Sequence, residues 1–64
     1  MKNCLKESRE ELGWSQEKLS EESEVSRTTI SDIETGKKVV VTNITLEKLA
    51  NALGKKVTDI FFKE

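Results

Sequence analysis

The sequence has no histidine, no proline and no tyrosine, and it holds one cysteine and three glycines in 64 residues. Each shortage excludes something. A lone Cys4 cannot close an internal disulfide, and with no histidine a zinc site would need three or more clustered cysteines or carboxylates, which the sequence does not offer. The same absence removes the commonest general base, and three widely spaced glycines make no phosphate-cradling loop. The scattered acidic residues fall on predicted helix surfaces, so no catalytic residues, metal or cofactor are expected. No apolar run approaches the ~20 residues that cross a bilayer, and no signal-peptide pattern opens the chain; a cytoplasmic protein with no membrane partner and no evident small-molecule ligand is expected. Nor is there an excess of charge of either sign: 12 acidic residues stand against 11 basic ones.

What remains is a helical pattern with clear punctuation. Each glycine follows an apolar-periodic segment: Gly13 after "LKESREEL", Gly36 after "TTISDIET", Gly54 after "LEKLANAL". These are positions where a helix stops on a left-handed residue. Ser15, Ser26 and Thr42 precede helical patterns, where a hydroxyl can accept from an orphan backbone N–H. The prediction is an all-α domain over residues 1–64 with five helices, at roughly 3–12, 16–23, 27–35, 43–53 and 57–62. Periodicity assigns Leu5, Leu12, Leu19, Ser20, Ile30, Ile33, Leu46, Leu49, Ala50, Leu53, Val57, Ile60 and Phe61 to inner faces, with Trp14, Val25 and Ile44 completing the core. Arg9 and Glu34 occupy positions where that pattern calls for apolar residues. Burying either charge alone is costly, so the two are predicted to pair and tie the first helix to the end of the third.

Helices two and three are separated by only about three residues, Glu24 to Ser26, which implies a helix-turn-helix over about 16–35. If Ile30 and Ile33 face inward, Thr28, Asp32 and Thr35 face outward, with Arg27 and Ser31 on one flank. Arg27 can pair bidentately with guanine, and Thr28 can hydrogen-bond or touch a thymine methyl. Spacing alone leaves an ordinary polar helix surface equally open.

From Leu5 to Phe61 the chain resembles the Cro/cI-type (XRE-like) helix-turn-helix family of bacterial and phage regulators. The resemblance is carried by "REELGWSQEKLSEESEVSRTTISDIETGKK" and "TLEKLANALGKKVTDIF". It implies a five-helix, lambda repressor-like domain that binds operator DNA, usually as a dimer. It further implies that Gln16 contacts a phosphate, that Arg27, Thr28 and often Asp32 contact bases, and that Lys37 and Lys38 lie near phosphates. Ser26 and Ser31 complete the expected DNA-facing set. The buried arginine–glutamate pair also recurs in this family. The chain departs from the pattern at Glu24, where the family usually has glycine, in the proline-free "KKVVVTN" loop, and at Lys55, a commonly apolar position.

Charge is polarised along the chain. Glu7 to Glu24 holds seven acidic and two basic residues, whereas Val25 to Glu64 holds seven basic and five acidic. The expected electrostatic footprint on DNA is therefore weak, with greater dependence on sequence-specific contacts and dimerisation. A homodimer on an inverted repeat is expected to join through Ile60 and Phe62 at the C-terminal end, or through Val39–Val41. The sequence-level expectation is a sequence-specific transcriptional regulator, acting as a repressor, whose third helix enters the major groove of double-stranded DNA. The alternative is a protein-interaction module on the same fold that has lost DNA binding and antagonises a related regulator.

Overall fold

The computed structural model describes residues 2–37 and 41–62. The elements run β1 (Lys2–Asn3), α1 (Leu5–Glu11), α2 (Gln16–Ser23), α3 (Arg27–Thr35), α4 (Asn43–Ala52), α5 (Val57–Ile60) and β2 (Phe61–Phe62). The fold is all-α in its architecture, with five short helices among the described residues gathered around one apolar centre. Leu5, Leu19, Ile30, Leu49 and Ile60, one from each helix, are fully buried at that centre. Val25, Ile33, Ala50, Leu53 and Phe61 surround them, and Trp14, Val41, Leu46, Ala52 and Val57 pack against the outside.

Helix starts are fixed by hydroxyl caps. Ser15 Oγ accepts from Lys18 N at 3.0 Å, Ser26 Oγ from Thr29 N at 3.2 Å, and Thr42 Oγ1 from Thr45 N at 3.2 Å. Each satisfies a backbone donor that the first helical turn leaves open. Helix α3 stops at Gly36, whose φ of 78° lets Gly36 N and Lys37 N fold back onto the carbonyls of Ile33 and Asp32.

The ends of the chain depart from the sequence expectation. The first helix begins at Leu5 and the last stops at Ile60. Lys2–Asn3 and Phe61–Phe62 instead pair antiparallel, Lys2 with Phe62 and Asn3 with Phe61. Helix α5 is one turn long, its start held by Lys56 N donating to Asp59 Oδ2 at 3.0 Å. Phe61 is already extended, with φ −115° and ψ 125°. Asn3 then joins the pairing to the helices, accepting from Leu5 N and donating to Ile33 O at the end of α3. Two-residue strands carry no periodicity to detect, so only tertiary pairing defines them.

Two expected core residues lie outside it. Leu12 is 48% exposed because α1 ends at Glu11 and the chain turns away before an eighth helical position can return to the inner face. Its buried positions are Leu5, Ser8 and Arg9. Ile44 is 65% exposed. At 3.6 residues per turn it lies about half a turn from Leu46 and Leu53, on the far side of α4. Lys55, by contrast, is accommodated by contacts: its Nζ donates to Ser8 Oγ at 3.3 Å and to Glu11 Oε2 at 3.1 Å, clipping α1 to the loop after α4.

The α2–α3 turn, residues Glu24 to Ser26, is held by side chains. Ser20 Oγ donates to Val25 O at 2.6 Å, Ser23 Oγ donates to Leu19 O at 2.6 Å, and Val25 N donates to Ser23 Oγ at 3.2 Å. Val25 itself is buried. These contacts hold Glu24 at φ 61°, the left-handed region, where a Cβ is strained by roughly 1–2 kcal/mol. Glu24→Gly is therefore expected to stabilise the domain by about 0.5–1 kcal/mol, the relieved strain exceeding glycine's greater unfolded-state entropy. A chemical denaturation curve shifted to higher midpoint with unchanged slope is the expected result; a lower midpoint would show the turn is unstrained.

Candidate nucleic-acid interface

The tight turn sets α3 across α2, and burial decides which face of α3 is presented. Ile30 and Ile33 are 0% and 3% exposed, so the opposite side of the helix is solvent-facing. At 1.5 Å per residue, α3 is about 14 Å long, a size that fits a major groove ~12 Å wide. Its first turn brings together Ser26, Arg27 and Thr28, all exposed. Ser26 is committed to capping, accepting from Thr29 N and donating to Thr29 Oγ1 at 2.8 Å. Arg27 has no salt-bridge partner among the described residues. Its guanidinium can therefore meet an incoming anion or base edge without first giving up a carboxylate.

One turn further on, Ser31 and Asp32 are half-buried. Asp32 does not hold Arg27; its Oδ1 lies 3.8 Å from Lys37 Nζ. That pair is long and its lysine largely exposed, so it contributes little to stability. It does place a carboxylate and an ammonium side by side on the presented surface. Thr35 is occupied within its own helix, Oγ1 donating to Ser31 O at 2.9 Å. Lys38, Val39 and Val40 lie outside the described residues.

Behind this surface lies a polar network that joins three helices. Arg9 donates through Nε to Glu34 Oε2 at 2.8 Å and through Nη2 to Glu34 Oε1 at 3.0 Å. Its Nη1 donates to Trp14 O at 2.6 Å. Gln16, the half-buried first residue of α2, donates through Nε2 to Glu34 Oε1 at 3.1 Å. The two charged side chains are 10% and 3% exposed. Hydrogen bonding to Glu34 raises the Arg9 pKa against its partial desolvation, with the charges of Glu34 and Glu10 adding to the rise. For Glu34, burial pushes the carboxyl up. The hydrogen bonds from Arg9 and Gln16 and the charges of Arg9 and Lys6 outweigh it and hold the group below the usual carboxylate range.

The family resemblance implied a DNA-side role for Gln16 but not that its amide also touches Glu34; no periodicity links residues 18 apart on different helices. The hydroxyls of Ser20 and Ser23 and the side chain of Asn3 position α3 as well, and nothing short of the tertiary structure marks them. Ile60 is 0% exposed and belongs to the core, so it cannot present a surface to a second copy as expected. Phe62 is 43% exposed. Val41, the one described residue of the Val39–Val41 stretch, packs against the core.

The acidic residues of α2, Glu17, Glu21 and Glu22, are exposed; Lys18 pairs with Glu22 at 3.2 Å along the helix and sits 5.8 Å from the Trp14 ring. No described helix is long and apolar enough to cross a membrane.

Comparison with known proteins gives a family match described as Helix-turn-helix over residues 5–60. One curated relative, "Uncharacterized HTH-type transcriptional regulator YgzD" of Bacillus subtilis (strain 168), is 42% identical over 64 residues, covering 100% of this chain and 96% of the relative. No solved structure matches.

Proposed function

Because the chain belongs to the Cro/cI-type helix-turn-helix family, we propose that it is a sequence-specific DNA-binding transcription regulator, acting in the cytoplasm as a repressor. The observation that carries this is the first turn of α3. Arg27 and Thr28 stand exposed at the start of a helix whose Ile30 and Ile33 are locked in the core. A rigid helix with a guanidinium at its leading end can seat in the major groove and read guanine through O6 and N7. Gln16, Ser31 and Lys37, with Lys38, supply the surrounding backbone contacts, Ser26 caps the helix at the DNA-facing end, and Asp32 accepts from a cytosine amino group or remains with Lys37.

The molecule measures 27 × 21 × 19 Å, so a single copy covers one half-site. Two copies on an inverted repeat set recognition helices about one helical turn apart, ~34 Å. Phe62, 43% exposed next to the buried Ile60, is the C-terminal residue offered for their contact.

Selection from a random-sequence duplex library tests this directly. Enrichment of an inverted repeat with half-sites spaced by one turn is the expected result. An unenriched library would favour the interaction-module alternative, for which Asp32 on the presented face is the supporting observation. Lys37→Ala is expected to weaken binding to all sequences alike and to reduce the slope of log affinity against log salt by about one. A selective loss on the enriched site would instead make Lys37 a base reader.

A further inference from the structure

We propose that Glu34 is a positioning residue for DNA binding as well as a strut. Its carboxylate fixes the amide of Gln16 so that this group offers an N–H, and not its carbonyl oxygen, to a backbone phosphate. The inference rests on the DNA-binding reading above and adds to it a buried residue that touches no DNA.

The geometry leaves the amide one stable orientation. Glu34 Oε1 accepts from Arg9 Nη2 at 3.0 Å and from Gln16 Nε2 at 3.1 Å. Turning the amide over would set its oxygen against a carboxylate oxygen, two acceptors with no proton between them. The carboxylate is held in turn by Arg9 on both oxygens and is 3% exposed, so it cannot swing out to follow Gln16. A primary amide nitrogen carries two hydrogens pointing in different directions. Glu34 takes one, and the other has no acceptor among the described residues. Gln16 opens α2, the helix that the tight turn joins to α3, and is half-buried and not enclosed.

The arrangement also solves an electrostatic problem. A bare carboxylate this close to a phosphate would repel it. The bidentate Arg9 neutralises Glu34, so the carboxylate orients the amide without opposing the ligand. An unanchored glutamine would have to lose rotamer freedom on binding, whereas this one is ordered beforehand.

Two readouts test the assignment on the full chain. In nitrogen-15 spectra, the two amide protons of Gln16 are expected to be widely separated and protected from exchange in the wild type. In Glu34→Gln they should resemble those of a solvated glutamine. In DNA titrations, Gln16→Met, which keeps length and removes both polar groups, is expected to weaken binding about five- to tenfold on preferred and random duplexes alike. In the Glu34→Gln background the same substitution is expected to cost less than about twofold, because the ordering it removes is already gone.

Folding of each variant is checked by circular dichroism and by fluorescence of the single tryptophan, Trp14. If Glu34→Gln does not fold, Glu34→Asp replaces it: one methylene shorter, it keeps a charge for Arg9 while withdrawing from Gln16, and the same two effects are expected. Equal losses from Gln16→Met with and without the Glu34 change, or wild-type Gln16 protons indistinguishable from those of a solvated side chain, would overturn the positioning role alone. Failure of the wild type to prefer any duplex would overturn the DNA reading and this proposal with it.

Discussion

Arg9→Ala is expected to leave the domain largely unfolded at room temperature. The substitution removes all three hydrogen bonds made by the guanidinium and leaves the buried Glu34 carboxylate with only the Gln16 amide against it. Stranding one charge of a buried pair costs about 3–5 kcal/mol. A core in a domain this small supplies no more than about 3–5 kcal/mol in total. The carbonyl of Trp14 loses its donor as well, which loosens the turn into α2. Thermal melts followed by circular dichroism read the effect; a melting temperature unchanged from wild type would show that the pair is not a structural element. Replacing both partners together, Arg9→Met with Glu34→Leu, is expected to recover much of the loss, since the penalty comes from the unpaired charge.

The same pair sets an acid dependence with a definite sign. In the wild type the folded-state pKa of Glu34 is lowered, so the stability it confers is fully present above the ordinary carboxylate pKa and is lost as pH falls through the folded value. In Arg9→Ala the chief opposing contribution is gone, and burial then raises the pKa of Glu34. The penalty is fully present above that raised value and is relieved as pH falls. Relative to wild type, Arg9→Ala should therefore recover as pH falls and the stranded carboxylate takes up a proton, and Arg9→Ala with Glu34→Gln should not show that recovery.

Arg27→Ala is expected to lower affinity for the preferred DNA site by about 10- to 100-fold, the worth of a bidentate guanine contact, and to relax selectivity at one base pair of each half-site. The loss on random DNA should be far smaller. Arg27 is exposed and has no salt-bridge partner among the described residues, so its removal strands no carboxylate there. The fold should be indifferent to it, and that separates this variant from Arg9→Ala, where binding and folding fail together. With one net negative charge, the chain has little general attraction for a polyanion. A single guanidinium therefore carries a larger share of recognition than it would in a strongly basic protein.

Much of this organisation could be read from local signals. Ser15, Ser26 and Thr42 cap helices as their positions before apolar-periodic segments implied, and Glu24 adopts the left-handed turn conformation that the family's usual glycine had hinted at. The charges that broke the apolar pattern, Arg9 and Glu34, lie against each other because the pattern registers burial and a buried charge needs a partner. What escaped was tertiary. The pairing of Asn3 with Phe61 has no local signature, and neither does the bond from Gln16 to Glu34. Leu12 and Ile44 were misplaced for a different reason: periodicity put Leu12 on the inner face, but the helix ends one residue before it, and Ile44 was added to the core as apolar although the helical angle turns it outward. Ile60 was assigned both to the core and to a dimer surface, and its complete burial leaves only the first.

The central claim is that the first turn of α3 reads bases. The most direct test is a binding titration of wild type and Arg27→Ala on a selected site and on a scrambled duplex of equal length and composition. The account predicts that the wild type prefers the selected site and that Arg27→Ala loses most of that preference while binding the scrambled duplex nearly as well. Equal losses on the two duplexes, or a wild type that does not distinguish them, would contradict it.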